Sequence, residues 1–323
     1  MSQALSRVFM GSAFASRLAV GLTAILALFA QLFDFEIPLQ AQVLIAIIAL
    51  AVGIPHGAID HLITIPRDSM RRFITFIFIY TAVAVVAGIA IATWNLIGFQ
   101  VVVLMSALHF GFGDAAFFEE GGSAKGLPKH SFLILTTYAI PAGFLPVILP
   151  LTDGRTSEAL QELNPQILNW AGSLNEAIRE ATLIVAVLSI LILTISKNLN
   201  LASDLILLFA LSYFAPPLIA FAIYFGGWHA LRHTARLVPK LSKAMREVAE
   251  EKPGKALIAA IKPGLYAIFG VFVVGAYIAA KSSGGISKDL LWTILVIIWS
   301  LTVPHMATTA RFDLRAFRKS IRP

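Results

Sequence analysis

Apolar runs long enough to cross a bilayer follow one another along almost the whole of this 323-residue chain. A membrane-spanning helix needs about 20 predominantly apolar residues. Such runs lie near 18–33, 42–62, 73–95, 100–118, 131–151, 181–196, 202–238, 263–281 and 289–307. Only 13% of the residues are charged and 58% are hydrophobic, where a soluble domain carries about 25% charge. Mean hydropathy is +0.82. The sequence predicts an all-α fold: a polytopic transmembrane helical bundle, with residues 1–323 as a single integral membrane domain.

Two stretches interrupt the pattern. Residues 152–180 are polar, with Leu160, Leu163, Ile167, Leu174 and Ile178 at roughly helical spacing, and predict an external interfacial helix. Residues 239–262 are Lys-rich with a Pro-Gly break at Pro253-Gly254, and predict a cytoplasmic basic loop. Basic residues set the orientation. Arg67, Arg71 and Arg72, then Lys125 and Lys129, mark cytoplasmic loops, and so do the basic 239–262 stretch and the tail with Arg311, Arg315, Arg318, Lys319 and Arg322. These assignments agree only if 202–238 crosses twice. One helix there would be roughly 50 Å long, and Pro216-Pro217 in its middle supplies a break. The expectation is about ten crossings, two of them short, or nine if 202–238 is one kinked helix. Both termini then face the cytoplasm of a bacterial cytoplasmic (inner) membrane.

The absence of cysteine removes disulfides, Cys-ligated zinc and thiolate iron–sulfur sites. A net charge of +7 does not imply nucleic acid, because the basic residues fall in loops beside apolar runs. The N-terminus lacks a convincing cleavage site after its apolar stretch, so a retained first span is expected.

Chemistry is concentrated in the histidines. "GIPHGAIDH" puts His56, Asp60 and His61 at the end of a span; His109 lies in "SALHFGFGDA", His229 and His233 in "FGGWHALRH", and His305 in "VPHMATTARFD". On the ten-span reading all of them share a leaflet and an approximate depth, whereas His130 is a loop residue. Ionisable groups inside a membrane are costly and mark function. Neutral imidazole binds iron, copper or zinc without adding charge to a low-dielectric site. His229 and His233 have a spacing that shares one helical face, as do His56 and Asp60. Asp60 and Asp114 are suited to accept the free N–H of a ligating imidazole. Glycines 53, 57, 111, 113, 226 and 227 would let helices approach closely around the site. Arg232 is expected to snorkel or to pair with an aspartate. Phe110, Phe112, Tyr224, Phe225 and Trp228 either line an apolar substrate channel or are packing.

A histidine-only metal site reached from lipid suggests an apolar substrate and redox or oxygen chemistry. The motifs "PHGAIDH", "HFGFGDA", "WHALRH" and "PHM", in that order from the second span to the tenth, resemble the Brp/Blh family of membrane β-carotene 15,15′-dioxygenases. The resemblance implies an Fe(II) enzyme that cleaves the central double bond of β-carotene with O2 to give two all-trans-retinal molecules. Carried over motif by motif, it implies His56, His109, His229 and His233 as catalytic metal ligands. His305 would be a near-site or substituting residue, and His61 would point to a different face. Retinal suggests a functional link to a retinal-binding rhodopsin in the same lipid bilayer. Two other classes stand beside this reading. A di-iron desaturase or hydroxylase gathers more histidines, in HxxHH-type clusters. A transporter using His and Asp as a proton relay predicts inverted repeats, and no repeat is found.

Overall fold

The computed structural model describes residues 2–65 and 69–321, so the expectations placed on Arg67 and Arg322 lie outside the described residues, as do those on the side chains of Arg315, Arg318 and Lys319. The helices in chain order are α1 (Ser2–Leu32), α2 (Leu39–Gly57), α3 (Asp60–Thr64), α4 (Met70–Thr93), α5 (Asn95–Ala124), α6 (Phe132–Leu151), α7 (Ser157–Leu163) and α8 (Asn175–Ile195). They continue as α9 (Leu199–Phe214), α10 (Pro217–Ala222), α11 (Ala230–Leu237), α12 (Ser242–Ala249), α13 (Pro253–Ile261), α14 (Leu265–Lys281) and α15 (Gly285–Ile321). There is no strand among the described residues. Among the described residues eight helical stretches are long and apolar enough to cross a membrane, and their outward faces carry large apolar side chains such as Phe14, Phe78 and Phe269. The chain is an all-α polytopic bundle.

The 202–238 run is divided as its prolines require. Ala215 is extended (φ −74°, ψ 150°) ahead of Pro216, and Pro217 opens α10. Contacts with α1 give the direction of each half. Arg17 reaches Asp204 and the Asn200 carbonyl, and Gln31 reaches the Phe214 carbonyl, so α9 runs parallel to α1. Ser16 meets Arg232 and Ala19 lies beside Gly227, so the second half runs back antiparallel. A hairpin stands where one kinked helix was the alternative.

Several boundaries differ from the expectation. α1 begins well before residue 18, because Val8 and Phe9 bury against the 239–262 region. That region is helical, forming α12 and α13, and Pro253 sits at a helix start rather than in a loop. The 42–62 run stops at Gly57 and resumes as α3, so His56 and Asp60 do not share one helix. The 152–180 stretch is not one interfacial helix. It is short α7 flanked by 3-10 turns, with Asn164 capping the turn at Pro165, and Ile178 belongs to α8. The tail after residue 307 continues α15 through Pro304 and packs inward at Thr309 and Asp313.

The tightest pair is α5 with α6. A Cβ on Gly111 would collide with the Ala139 carbonyl, and one on Gly143 with the Ala107 carbonyl. Small residues at matched positions let two backbones touch, and this contact sets the position of His109.

Candidate metal centre

Five histidines from four parts of the chain meet inside the bundle, all of them buried. His56 closes α2, His109 sits mid-α5, His229 ends a π-helical segment (Ile223–His229), His233 lies in α11 and His305 follows Pro304 in α15. Ring centroids of His56 stand 4.9 Å from His233, 5.4 Å from His305 and 5.7 Å from His229. Those of His109 stand 5.2 Å from both His229 and His305. With metal–nitrogen bonds of about 2.0–2.1 Å, imidazoles sharing one ion have centroids roughly 5 Å apart. These pairs are close to that spacing, while His233 stands wider from His229, at 5.8 Å, and from His109, at 6.3 Å.

Unpartnered nitrogens give a second test of fit. His56 Nδ1, His109 Nε2, both ring nitrogens of His229, His233 Nδ1 and His305 Nε2 are buried without a hydrogen-bond partner. Buried polar atoms are normally satisfied, and six unpartnered ring nitrogens in one cluster are a donor set of the kind that suits a metal ion. As placed, no three His, Asp or Glu side chains among the described residues form a closed coordination group. The fit therefore rests on ring spacing and on the free nitrogens.

Neighbouring groups orient the rings. His305 Nδ1 lies 2.9 Å from Asp60 Oδ2, an oxygen that also accepts from Tyr80 at 3.2 Å. This assigns the proton to Nδ1 and turns Nε2 toward the other rings. Thr309 donates to the His305 carbonyl at 3.0 Å, leaving its oxygen as acceptor 3.4 Å from His109 Nδ1. Asp114 Oδ1 is 3.7 Å from His229 Nδ1, while its Oδ2 accepts from Trp228 at 2.8 Å and Tyr224 at 3.1 Å.

The π-helix explains part of this geometry. It carries "IYFGGWH", and its wider turn shifts the side-chain register just before His229. The tandem glycines in the sequence were the available signal. His305, ranked outside the ligand set, is a full member of the cluster by distance. Asp60 serves His305 rather than its near neighbour His56. His61 packs its ring on Phe73 and stays apart. His130, read as an ordinary loop residue, pairs with buried Glu119. Arg232 does pair with an aspartate, Asp204, at 2.8 Å, and stacks 3.4 Å over the Trp228 ring. Asp204 and Thr309 escaped the sequence reading, although Thr309 follows His305 at one-turn spacing.

An apolar cavity of about 430 Å3 opens against His56, His109 and His305. Phe110 and Phe225 are in its wall, whereas Phe112, Tyr224 and Trp228 are not. Phe112 packs on Phe317, and the other two hold Asp114. The class of protein so defined is a membrane-embedded bundle with an imidazole cluster at an apolar cavity.

Comparison with known proteins names the family. Residues 45–313 match the sequence pattern of beta-carotene 15,15′-dioxygenase. A beta-carotene 15,15′-dioxygenase from an uncultured marine bacterium is 27% identical over 276 residues, covering 79% of this chain and 88% of the relative. A probable beta-carotene 15,15′-dioxygenase, Blh, from Halobacterium salinarum is 24% identical over 314 residues, 82% of each chain. No solved structure matches. The chain belongs to the beta-carotene 15,15′-dioxygenase family of carotenoid-cleaving enzymes.

Proposed function

We propose that the chain holds one Fe(II) among His56, His109, His229, His233 and His305, and with O2 cleaves β-carotene at its central double bond to give two all-trans-retinal molecules. The observation that carries this reading is the meeting of five buried imidazoles, with unpartnered nitrogens, three of which (His56, His109 and His305) line the wall of an apolar cavity. Bound iron(II) supplies the O2 chemistry that amino-acid side chains lack.

The residues do the rest. Asp60 and Thr309 hold protons on the Nδ1 atoms of His305 and His109, which keeps their Nε2 lone pairs pointed inward. Asp114 stands behind His229. Phe110, Phe225 and Trp299 give the polyene a dry, apolar surface and exclude water from the reacting bond. A carotenoid is as apolar as lipid, so it reaches the cavity sideways from the bilayer. Retinal leaves by the same route and is available to a retinal-binding rhodopsin. One imidazole cluster supports one ion, which separates this reading from a di-iron desaturase.

Expression in bacteria that accumulate β-carotene tests it. The parent should turn carotene into retinal, and the His229→Ala variant should lose at least 100-fold of that yield. Unchanged carotene beside membrane-inserted parent protein would exclude β-carotene cleavage.

A further inference from the structure

The cavity is long, and only one of its ends meets the histidines. Its wall follows α2 from Val43 to Gly57 and α15 from Leu291 to His305. At about 1.5 Å per helical residue each of these stretches covers roughly 20 Å. His56, His109 and His305 line the inner end, and among the described residues the wall on α15 stops at His305. Thr156, Ala159, Leu160, Leu163 and Ile167, all from the segment between α6 and α8, line the outer end.

That segment is a fixed stop. Thr156 bonds the Pro150 carbonyl, and Trp170 Nε1 donates to the Leu151 carbonyl at 3.0 Å. Gln100 holds the Trp170 carbonyl at 2.6 Å, and Asn95 bonds Gln166 at 2.8 Å and Asn164 at 3.2 Å. The cap is thus tied to both α5 and the end of α6. Ala159, Leu160 and Ile167 are its buried inner face.

A ring-bearing twenty-carbon half of β-carotene is roughly 15 Å long, taking bond lengths of about 1.3–1.5 Å. One half fits between cap and histidines, and the whole rigid rod does not. We infer that the cavity is a ruler: the cap formed by residues 154–167 stops one ring of the carotenoid and thereby places the central double bond at the histidines. The other half lies outside the cavity. Because the two halves are identical, one stop is enough to give central cleavage from either end. The ruler rests on the proposed cleavage reaction and adds to it what chooses the bond.

Two substitutions change the length of the ruler in opposite directions. Ala159→Phe fills the outer end, so the ring stops short and the bond presented lies nearer to it. Leu160→Ala deepens the outer end, and the bond presented lies farther away. Extracts of β-carotene-accumulating cells expressing each variant are analysed for aldehydes of every chain length. Unequal product pairs should make up at least half of the cleavage in each variant, with the parent giving retinal alone. Retinal alone from both variants, beside retinal from the parent, would overturn the ruler and leave the cleavage reading intact. If Ala159→Phe does not accumulate, Leu160→Ala decides.

A second readout is independent of turnover. Retinal is titrated into purified, chelator-treated protein and followed by quenching of tryptophan fluorescence, since Trp299 is in the cavity wall. Ala159→Phe should weaken retinal binding at least tenfold. Equal affinity in parent and variant would overturn the ruler even if the parent cleaves nothing.

Discussion

Asp60 receives two donors from two other helices, His305 Nδ1 at 2.9 Å and the Tyr80 hydroxyl at 3.2 Å, and is itself buried. A carboxylate in that position fixes the tautomer of His305 and raises its basicity as a ligand. Replacing it by the isosteric amide keeps the shape and removes the charge. Asp60→Asn should therefore weaken iron binding by about 10–100-fold, measured by equilibrium dialysis of the purified protein in detergent. Affinity within twofold of the parent would remove Asp60 from the metal's support. His61→Ala is the control: its ring meets Phe73 edge-on at 5.9 Å, away from the cluster, and iron affinity should not move. At this scale the sequence exposed the histidines and both aspartates, because an ionisable side chain at the end of an apolar run stands out. It did not reveal which aspartate serves which histidine. That pairing depends on how α3 turns away from α2 after Gly57, a detail that no spacing rule carries.

Helices bring these residues together by close approach, and the α5–α6 pair is the limiting case. Gly111 and Gly143 each lie against a carbonyl of the opposite helix, so neither can gain a Cβ without parting the two backbones. Gly111→Ala should destabilise the protein by about 1–3 kcal/mol, as overpacking does, and lower the thermal unfolding midpoint in detergent. Gly270→Ala has open space around its new methyl group and should leave the midpoint unchanged or slightly higher. Equal midpoints for the two variants would mean that the α5–α6 contact yields at little cost. The spans and the break at Pro216 were legible because apolar length and proline sterics are local properties. The π-helix before His229 and the folding of 152–180 into a cap were not. Both depend on what packs beneath them, and the regular spacing of Leu160, Leu163 and Ile167 serves a cavity roof here as well as it would an interfacial helix.

Charge at the two ends of the whole molecule argues its orientation. The segment around the cavity cap carries Asp153, Glu158, Glu162, Glu176 and Glu180 against Arg155 and Arg179. At the opposite end the α12–α13 region carries Lys240, Lys243, Arg246, Lys252, Lys255 and Lys262. Lys and Arg remain preferentially on the cytoplasmic side of a bilayer, so the cap should face outward, with both termini and the histidine-bearing end of the bundle toward the cytoplasm. The sequence contains no cysteine, so a single introduced thiol reports its own side without background. Ser173 and Lys243 are both exposed and lie at opposite ends. In intact spheroplasts a membrane-impermeant maleimide should label the Ser173→Cys variant fully. The Lys243→Cys variant should react only after lysis. Labelling in the reverse order would turn the molecule over and put the histidines nearer the outer leaflet. Labelling of both variants before lysis would mean that α12 and α13 do not lie across the bilayer from the cap.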